Sequence, residues 1–538
     1  MTKFEDILLD IGQVGWYQFT LVLVITLGWE MVTAWSMLNL VFVGADPGWS
    51  CRDELAGNIT ISKDIFGQSS ASSVSLGATQ VAPLNWTSPN ATTIGCGECT
   101  SYLFNQDFTS IVTEWELVCS RDFISDTISS LLMAGVLIGC VVFGQLSDLF
   151  GRKKAFFVAV LLTSSTGLGQ AFTTSWIQFA GLRFANGVGC GGGLVAGYIY
   201  GIEFLGPKYR QMTVAFGVWS ISAIVLVGFA YAIRDWRHLM IVTSTPGFIV
   251  IFLWWFLPES PRWLFSQGRY EEVTAIVKRI AKFNKKPQPN MEKFIKEYEK
   301  EKEIQSHSEK YGFWDLFRTP TLTKRTAMIM YVWFSMSLFN YGATFHLKNL
   351  PGDRYVNYLI NFAVRYLSPF SMFFLPRWLG RKTIAVVALF FATVCIVPIM
   401  TIFLLGLFDE LAIVATILIT LATTSVGIGW LAMYVLTSES YPTHIRNVGL
   451  GVASMSARAA GILAPQLAYF SKFWGAVPFV ISGFFALTAG IITCFQHETK
   501  GKALPETVPD REWCFCLGRN KIDDNKYKDE DGVWVTRL

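Results

Sequence analysis

The sequence predicts an all-α chain that crosses a membrane twelve times, arranged as two related bundles of six helices, and three observations carry the prediction. Over 538 residues it is 52% hydrophobic and only 16% charged, too apolar for a soluble protein of that length. Apolar runs of about 20 residues, enough to cross about 30 Å of hydrocarbon, recur along it. Between two of them lies GQLSDLFGRKK (Gly144 to Lys154), whose Asp148 and Arg152 to Lys154 are too costly to leave in lipid, so the chain turns there in a short basic loop on the cytoplasmic side. The pattern repeats: LPRWLGRKT (Leu375 to Thr383) also separates two apolar runs, and Glu203 to Arg210 and Glu439 to Arg446 both read Glu, an inner Pro, then Arg.

Apolar windows bounded by polar residues place the spans near 16–43, 124–147, 154–174, 176–203, 211–232, 237–257, 326–346, 355–376, 383–406, 411–437, 447–469 and 475–495. The first follows Glu5, Asp6 and Asp10 and is too long for a cleaved signal, so it is read as a membrane helix behind a cytosolic N-terminus, 1–15. The chain then divides into a first bundle, 16–257, a cytosolic loop, 258–325, a second bundle, 326–495, and a cytosolic tail, 496–538.

The segment 45–123 interrupts the first bundle. It holds Cys51, Cys96, Cys99 and Cys119 and the sequons at Asn58, Asn85 and Asn90. Clustered cysteines beside three sequons predict an extracellular loop that is glycosylated and held by disulfides of open connectivity. The loop 258–325 carries 15 Lys and Arg residues, which places it in the cytosol; Glu271 to Lys282 and Met291 to Gln305 have helical character within it. Its acidic residues are interleaved with the basic ones, against nucleic-acid binding. In the tail, Cys514 and Cys516 are candidates for palmitoylation, and the ending Thr536-Arg537-Leu538 fits a strand added to a PDZ domain.

In order along the chain, GQLSDLFGRKK, GLRFANGVGCGGG (Gly181 to Gly193), EFLGPKYR, PESPRWL (Pro258 to Leu264), ESYPTHIRNVGLG (Glu439 to Gly451) and ETKGKALPET (Glu498 to Thr507) resemble the major facilitator superfamily, and within it the organic cation, organic anion and carnitine transporters. That resemblance implies two bundles about a pseudo-two-fold axis, substrate near the midplane, alternating access, and residence in the plasma membrane. It also implies that Asp148 closes an inner gate near the start of the eleventh helix, and that Arg152, Glu203, Arg210, Glu259, Glu439 and Arg446 form an ion-pair network between the bundles. The chain departs from the family where Leu149 follows Asp148, and where the second-half copy keeps Arg377, Arg381 and Lys382 but no acid.

Four charges fall inside spans, each costing about 2.5–3.5 kcal/mol unless it faces a partner or water. Glu30 and Arg183 come to similar depths and are expected to pair. Arg365 and Arg458 come out near the midplane with no carboxylate in the second half to neutralise them. An electropositive site of that kind wants a carboxylate, a sulfate or a zwitterion bearing one. The aromatics Trp219, Tyr341, Phe345, Tyr358, Phe362, Trp430 and Tyr434 fall where they would wall such a cavity or hold a cation on their ring faces, and His346 is placed at the outer mouth. A carrier for organic anions or zwitterions is the leading reading; an organic cation carrier using Glu30 is the alternative. No HExxH, no Gly-x-Ser-x-Gly and no ATP-binding loop occur, so no enzyme chemistry, metal or cofactor is expected.

Overall fold

The computed structural model describes residues 7–8, 11–12, 14–52, 59–60, 101–206, 209, 218–304, 313–350, 352–408, 410–442, 445–471, 474–500, 526–528 and 534–536. The sequons at Asn58, Asn85 and Asn90, together with Cys96, Cys99, Arg210, Cys514, Cys516 and Leu538, lie outside them, and so does the Cys51 side chain.

The first bundle contains α1 (Trp16–Leu38), α2 (Phe123–Phe150) and α3 (Arg152–Gln170). The next helix, α4, runs Trp176–Gly192, widens into a π turn at Gly193–Gly197 and finishes as Tyr198–Ile202. It is followed by α5 (Val218–Ala232) and α6 (Trp236–Phe252). Three helices link the bundles: α7 (Pro261–Ser266), α8 (Tyr270–Phe283) and α9 (Met291–Ile304). The second bundle contains α10 (Pro320–His346), α11 (Arg354–Arg365) and α12 (Ser368–Trp378), then α13 (Arg381–Leu404), α14 (Ala412–Ser440), α15 (Arg446–Phe470) and α16 (Val477–Cys494). Among the described residues seven helices are long and apolar enough to cross a membrane on length and composition alone. In the large first loop, β1 (Trp49–Arg52) pairs antiparallel with β2 (Ile59–Thr60) on one side and β3 (Ser101–Phe104) on the other.

Helix starts follow local chemistry. The Ser260 and Thr319 hydroxyls accept from the amides of Trp263 and Leu322, each with a proline as the first helical residue. Asp353 accepts from the Tyr355 and Val356 amides to open α11. Glycines set the closest contact of the first bundle. A Cβ on Gly135, Gly139, Gly187 or Gly191 would stand 2.1–2.3 Å from a carbonyl oxygen of the facing helix, so α2 and α4 touch backbone to backbone.

One expected span is broken. The window 355–376 divides into α11 and α12 around Tyr366 and Leu367. Pro369 has no N–H to give the Arg365 carbonyl, and its ring crowds that same carbonyl, so the helix stops there. Arg365 thereby becomes the last residue of a half-helix, where the helix dipole favours a cation.

Candidate functional site

Two clamps of matching design stand at the basic end of the bundles. In the first, Arg152 opens α3 and pairs with Asp148 at 2.5 Å and Glu203 at 3.2 Å. Glu259 accepts from the Lys153 and Ser260 amides, both at 2.9 Å, and the Ser260 hydroxyl bonds Glu203. In the second, Arg381 opens α13 and pairs with Glu439 at 3.6 Å. Glu498 accepts from the Arg381 amide at 2.9 Å and the Thr383 amide at 3.4 Å, and the Thr499 hydroxyl bonds Glu439. In each half a carboxylate caps a helix start, and the hydroxyl of the next residue ties it to a second carboxylate paired with that helix's first Arg.

These clamps correct the expected network. Arg152–Glu203 and Arg381–Glu439 each stay inside one bundle, so neither joins the two. Asp148 is 71% exposed and pairs with Arg152, and the Nε and Nη2 of Arg446, the first residue of α15, are buried without a hydrogen-bond partner. Glu498, Arg381, Ser260 and Thr499 were missed as clamp members; the repeat of Glu-Ser at 259 and Glu-Thr at 498 is the signal that could have found them.

The expected Glu30–Arg183 ion pair does not form. Arg183 is buried and donates to the amide oxygens of Asn39 at 2.7 Å and Gln170 at 3.2 Å. Glu30, also buried, accepts from the backbone amide of Trp219. Equal depth along two helices gave no information on which faces they turn.

Both mid-depth arginines interact with Tyr341. Arg458 stands twelve residues into α15, roughly 18 Å along it; its Nη1 donates to the Tyr341 hydroxyl at 3.2 Å, and the Cys140 thiol of α2 lies within hydrogen-bond reach. Its Nε is buried with no partner. Arg365 packs beside Gly427 of α14 and lies within electrostatic reach of the same Tyr341. Among the described residues no carboxylate pairs with either. Both are half-buried.

The aromatics divide. Trp219, Tyr341 and Trp430 are half-buried and Tyr434 is exposed. Trp333 stacks near both Trp430 and Tyr434, at 5.0 and 5.7 Å, and Tyr434 also meets Tyr198 of the first bundle. Phe345, Tyr358 and Phe362 are buried. Tyr358 donates to the Thr344 carbonyl at 2.9 Å and packs 5.4 Å from Phe42. His346 is not at an outer mouth: it is buried, edge-on to Phe479 at 5.0 Å.

The bundles meet most firmly at the end away from the clamps. Lys348 pairs with Asp126 at 2.8 Å, Gln466 donates to Ser130 at 3.0 Å, and Tyr355 stacks on Phe42 at 5.8 Å. Among the described residues, these bonds cross between the bundles at one end, while the clamp ion pairs at the other end lie within them.

Residues 96–510 match the family described as Sugar (and other) transporter. Over 424 residues the chain is 35% identical to an organic cation transporter protein of Drosophila melanogaster, covering 77% of this chain and 76% of that one. It is 34% identical over 412 residues to the organic cation/carnitine transporter 2 of Homo sapiens, covering 75% and 72%. The fold is similar to the xylose transporter XylE of E. coli in an inward-open conformation, with a TM-score of 0.61 at 16% identity, over 91% of this chain and 98% of that one.

Proposed function

Because this chain belongs to the sugar (and other) transporter family, and within it to the organic cation and organic cation/carnitine transporters of the solute carrier 22 type, we propose that it carries small organic anions or carnitine-like zwitterions by alternating access. It is a membrane transporter with the major facilitator fold, not an enzyme. The observation that carries the substrate class is the pair Arg365 and Arg458 about Tyr341, with no acidic partner among the described residues. A guanidinium with an unpartnered buried N–H is stabilised by an incoming carboxylate, which forms charge-assisted bonds that water and a tyrosine hydroxyl do not match. Trp219, Trp430 and Tyr434 provide flat faces for the apolar or cationic remainder.

In this reading the clamp end faces the cytosol and segment 45–123 the outside of the plasma membrane, glycosylated and tied by disulfides. Supporting it, the free thiols among the described residues are Cys140, Cys190, Cys395 and Cys494, and Cys119 is not one of them. The C-terminal Thr536 to Leu538 remains a candidate for a PDZ partner.

A second reading, an organic cation carrier, is favoured by Glu30, a buried carboxylate that has no ion pair among the described residues and could take a cation. Uptake into proteoliposomes of a carboxylate, a betaine and a quaternary ammonium separates the two. We expect betaine or carboxylate uptake that falls at least about tenfold in Arg458→Ala. Preferential quaternary ammonium uptake, unchanged by Arg458→Ala but lost in Glu30→Gln, would favour the cation reading.

A further inference from the structure

The link between the bundles presents a basic, partly apolar surface. Helix α8 buries Val273, Val277, Ile280 and Ala281 against Leu264, Phe265 and Met291. Its other faces leave Lys278, Arg279, Lys282 and Phe283 exposed, Phe283 by 61%, and the turn just after it adds the exposed Lys285 and Lys286. An exposed aromatic flanked by cationic side chains is the pattern of a surface that meets an apolar, negatively charged partner.

The position of that face is fixed by α1. Asn284 donates to Gln18 at 3.0 Å and accepts from the Tyr17 amide. Phe283 meets the Tyr17 ring edge-on at 5.5 Å, and the Arg279 guanidinium lies 5.7 Å from that ring. Gly15 closes the joint, because a Cβ there would fall 2.1 Å from the Asn284 side chain. The end of α8 is thus held at the first turn of a membrane helix whose opening residue, Trp16, is 77% exposed. Exposed Trp at a span's edge marks the headgroup level. Lys282, Lys285 and Lys286 flank Phe283 and Asn284, which touch Tyr17 and Gln18 in the first turn of α1, while the acidic Glu271 and Glu272 lie at the far end of α8.

We propose that the Lys282–Lys285–Lys286 cluster with Phe283 is a docking surface for anionic lipid headgroups of the adjoining leaflet, fixing the linker to the bilayer. The partner is set by chemistry: clustered ammonium groups attract lipid phosphate and carboxylate within a Debye length, and Phe283 enters the acyl boundary as interfacial aromatics do. The proposal rests on the reading that the clamp end faces the cytosol, whose leaflet is the anionic one.

The test uses the full chain purified in a neutral detergent, with its unfolding temperature measured in dihexanoyl phosphatidylserine and in dihexanoyl phosphatidylcholine. The serine lipid is expected to raise the unfolding temperature by several degrees more than the choline lipid. That difference should vanish in about 0.5 M salt, where charges are screened within a few ångströms. K282Q/K285Q/K286Q should lose more than half of the difference, and Phe283→Ala part of it, while K293Q/K296Q on α9 keeps it. An equal loss in the α9 control, or none in the triple variant, overturns the proposal. If the triple variant does not fold, the unmodified chain decides: trypsin should cut after Lys282 and Lys285 more slowly in nanodiscs containing phosphatidylserine than in phosphatidylcholine discs, and equal rates overturn the proposal. Neither readout involves uptake, so a failed transport assay with an intact lipid effect would count against the proposed substrate alone.

Discussion

Arg183 and Arg458 share a residue type and a buried Nε without a hydrogen-bond partner, yet their surroundings differ: Arg183 is fully buried and Arg458 half-buried. Arg183 is closed in by the Asn39 and Gln170 amide oxygens, a structural charge whose partners are neutral. Replacing Asn39 by Ala removes a buried hydrogen bond to a charged group, a loss of about 1.5–3 kcal/mol. The unfolding temperature in detergent should fall accordingly, and Glu30→Gln should lower it less; a larger drop in Glu30→Gln would restore the pairing expected from sequence. Arg458 keeps an N–H without a partner, and Arg458→Lys should retain a fraction of uptake where Arg458→Ala loses it, since the point charge survives but the two-pronged fork does not. The sequence made legible which charges are buried and that Arg458 has no acid beside it. It hid the Asn39 partner, because an asparagine in an apolar run carries no signal of what it faces.

Helix lengths and order were readable from apolar periodicity, and Pro369 marked the break between α11 and α12, although the window 355–376 passes over it. What composition could not show is how tightly two helices approach. Gly187 makes that concrete: a Cβ there would sit 2.1 Å from the Leu132 carbonyl oxygen, whereas Gly181 on the same helix has nothing within 4 Å. Gly187→Val should abolish a monodisperse folded species, while Gly181→Ala should fold normally and equal or exceed the parent in stability; normal folding of both would refute the close α2–α4 contact. The clamp on α13 gives a pH prediction. Partial burial pushes the Glu498 carboxyl up, but the amides of Lys500, Thr383, Lys382 and Thr499 outweigh it and hold the group below the ordinary carboxylate range. Because the folded value is depressed, its stabilisation is full above the unfolded value of about 4.3 and is lost as pH falls through the folded one. The unfolding temperatures of the parent and Glu498→Gln should therefore stay apart from neutrality down to about pH 4.3 and converge only below it. Convergence nearer neutrality would mean the carboxyl is not held as described.

At the scale of the whole molecule, the two halves carry the same clamp, and the bundles are joined by Lys348–Asp126 and Gln466–Ser130 at the end away from it. The twofold design was legible in the repeated Glu and Arg spacings. The state of the gates was not, since both states of an alternating carrier share one sequence, and which ion pairs cross between bundles depends on the state. Asp126→Asn should shift the resting population toward the outward-open form, read as increased labelling of a cysteine placed at Ser130; unchanged labelling would show that the pair does not hold that end shut. The substrate reading turns on a negative group meeting Arg458 midway through the membrane. The most direct test is binding of carnitine and of its carboxamide, which keeps the cation and removes the carboxylate, to the parent chain and to Arg458→Ala. The account predicts at least about tenfold weaker binding of the carboxamide by the parent, a difference of about 1.4 kcal/mol, and near-equal binding of the two ligands by the variant. Equal affinities in the parent, or a preference that survives in Arg458→Ala, would contradict it.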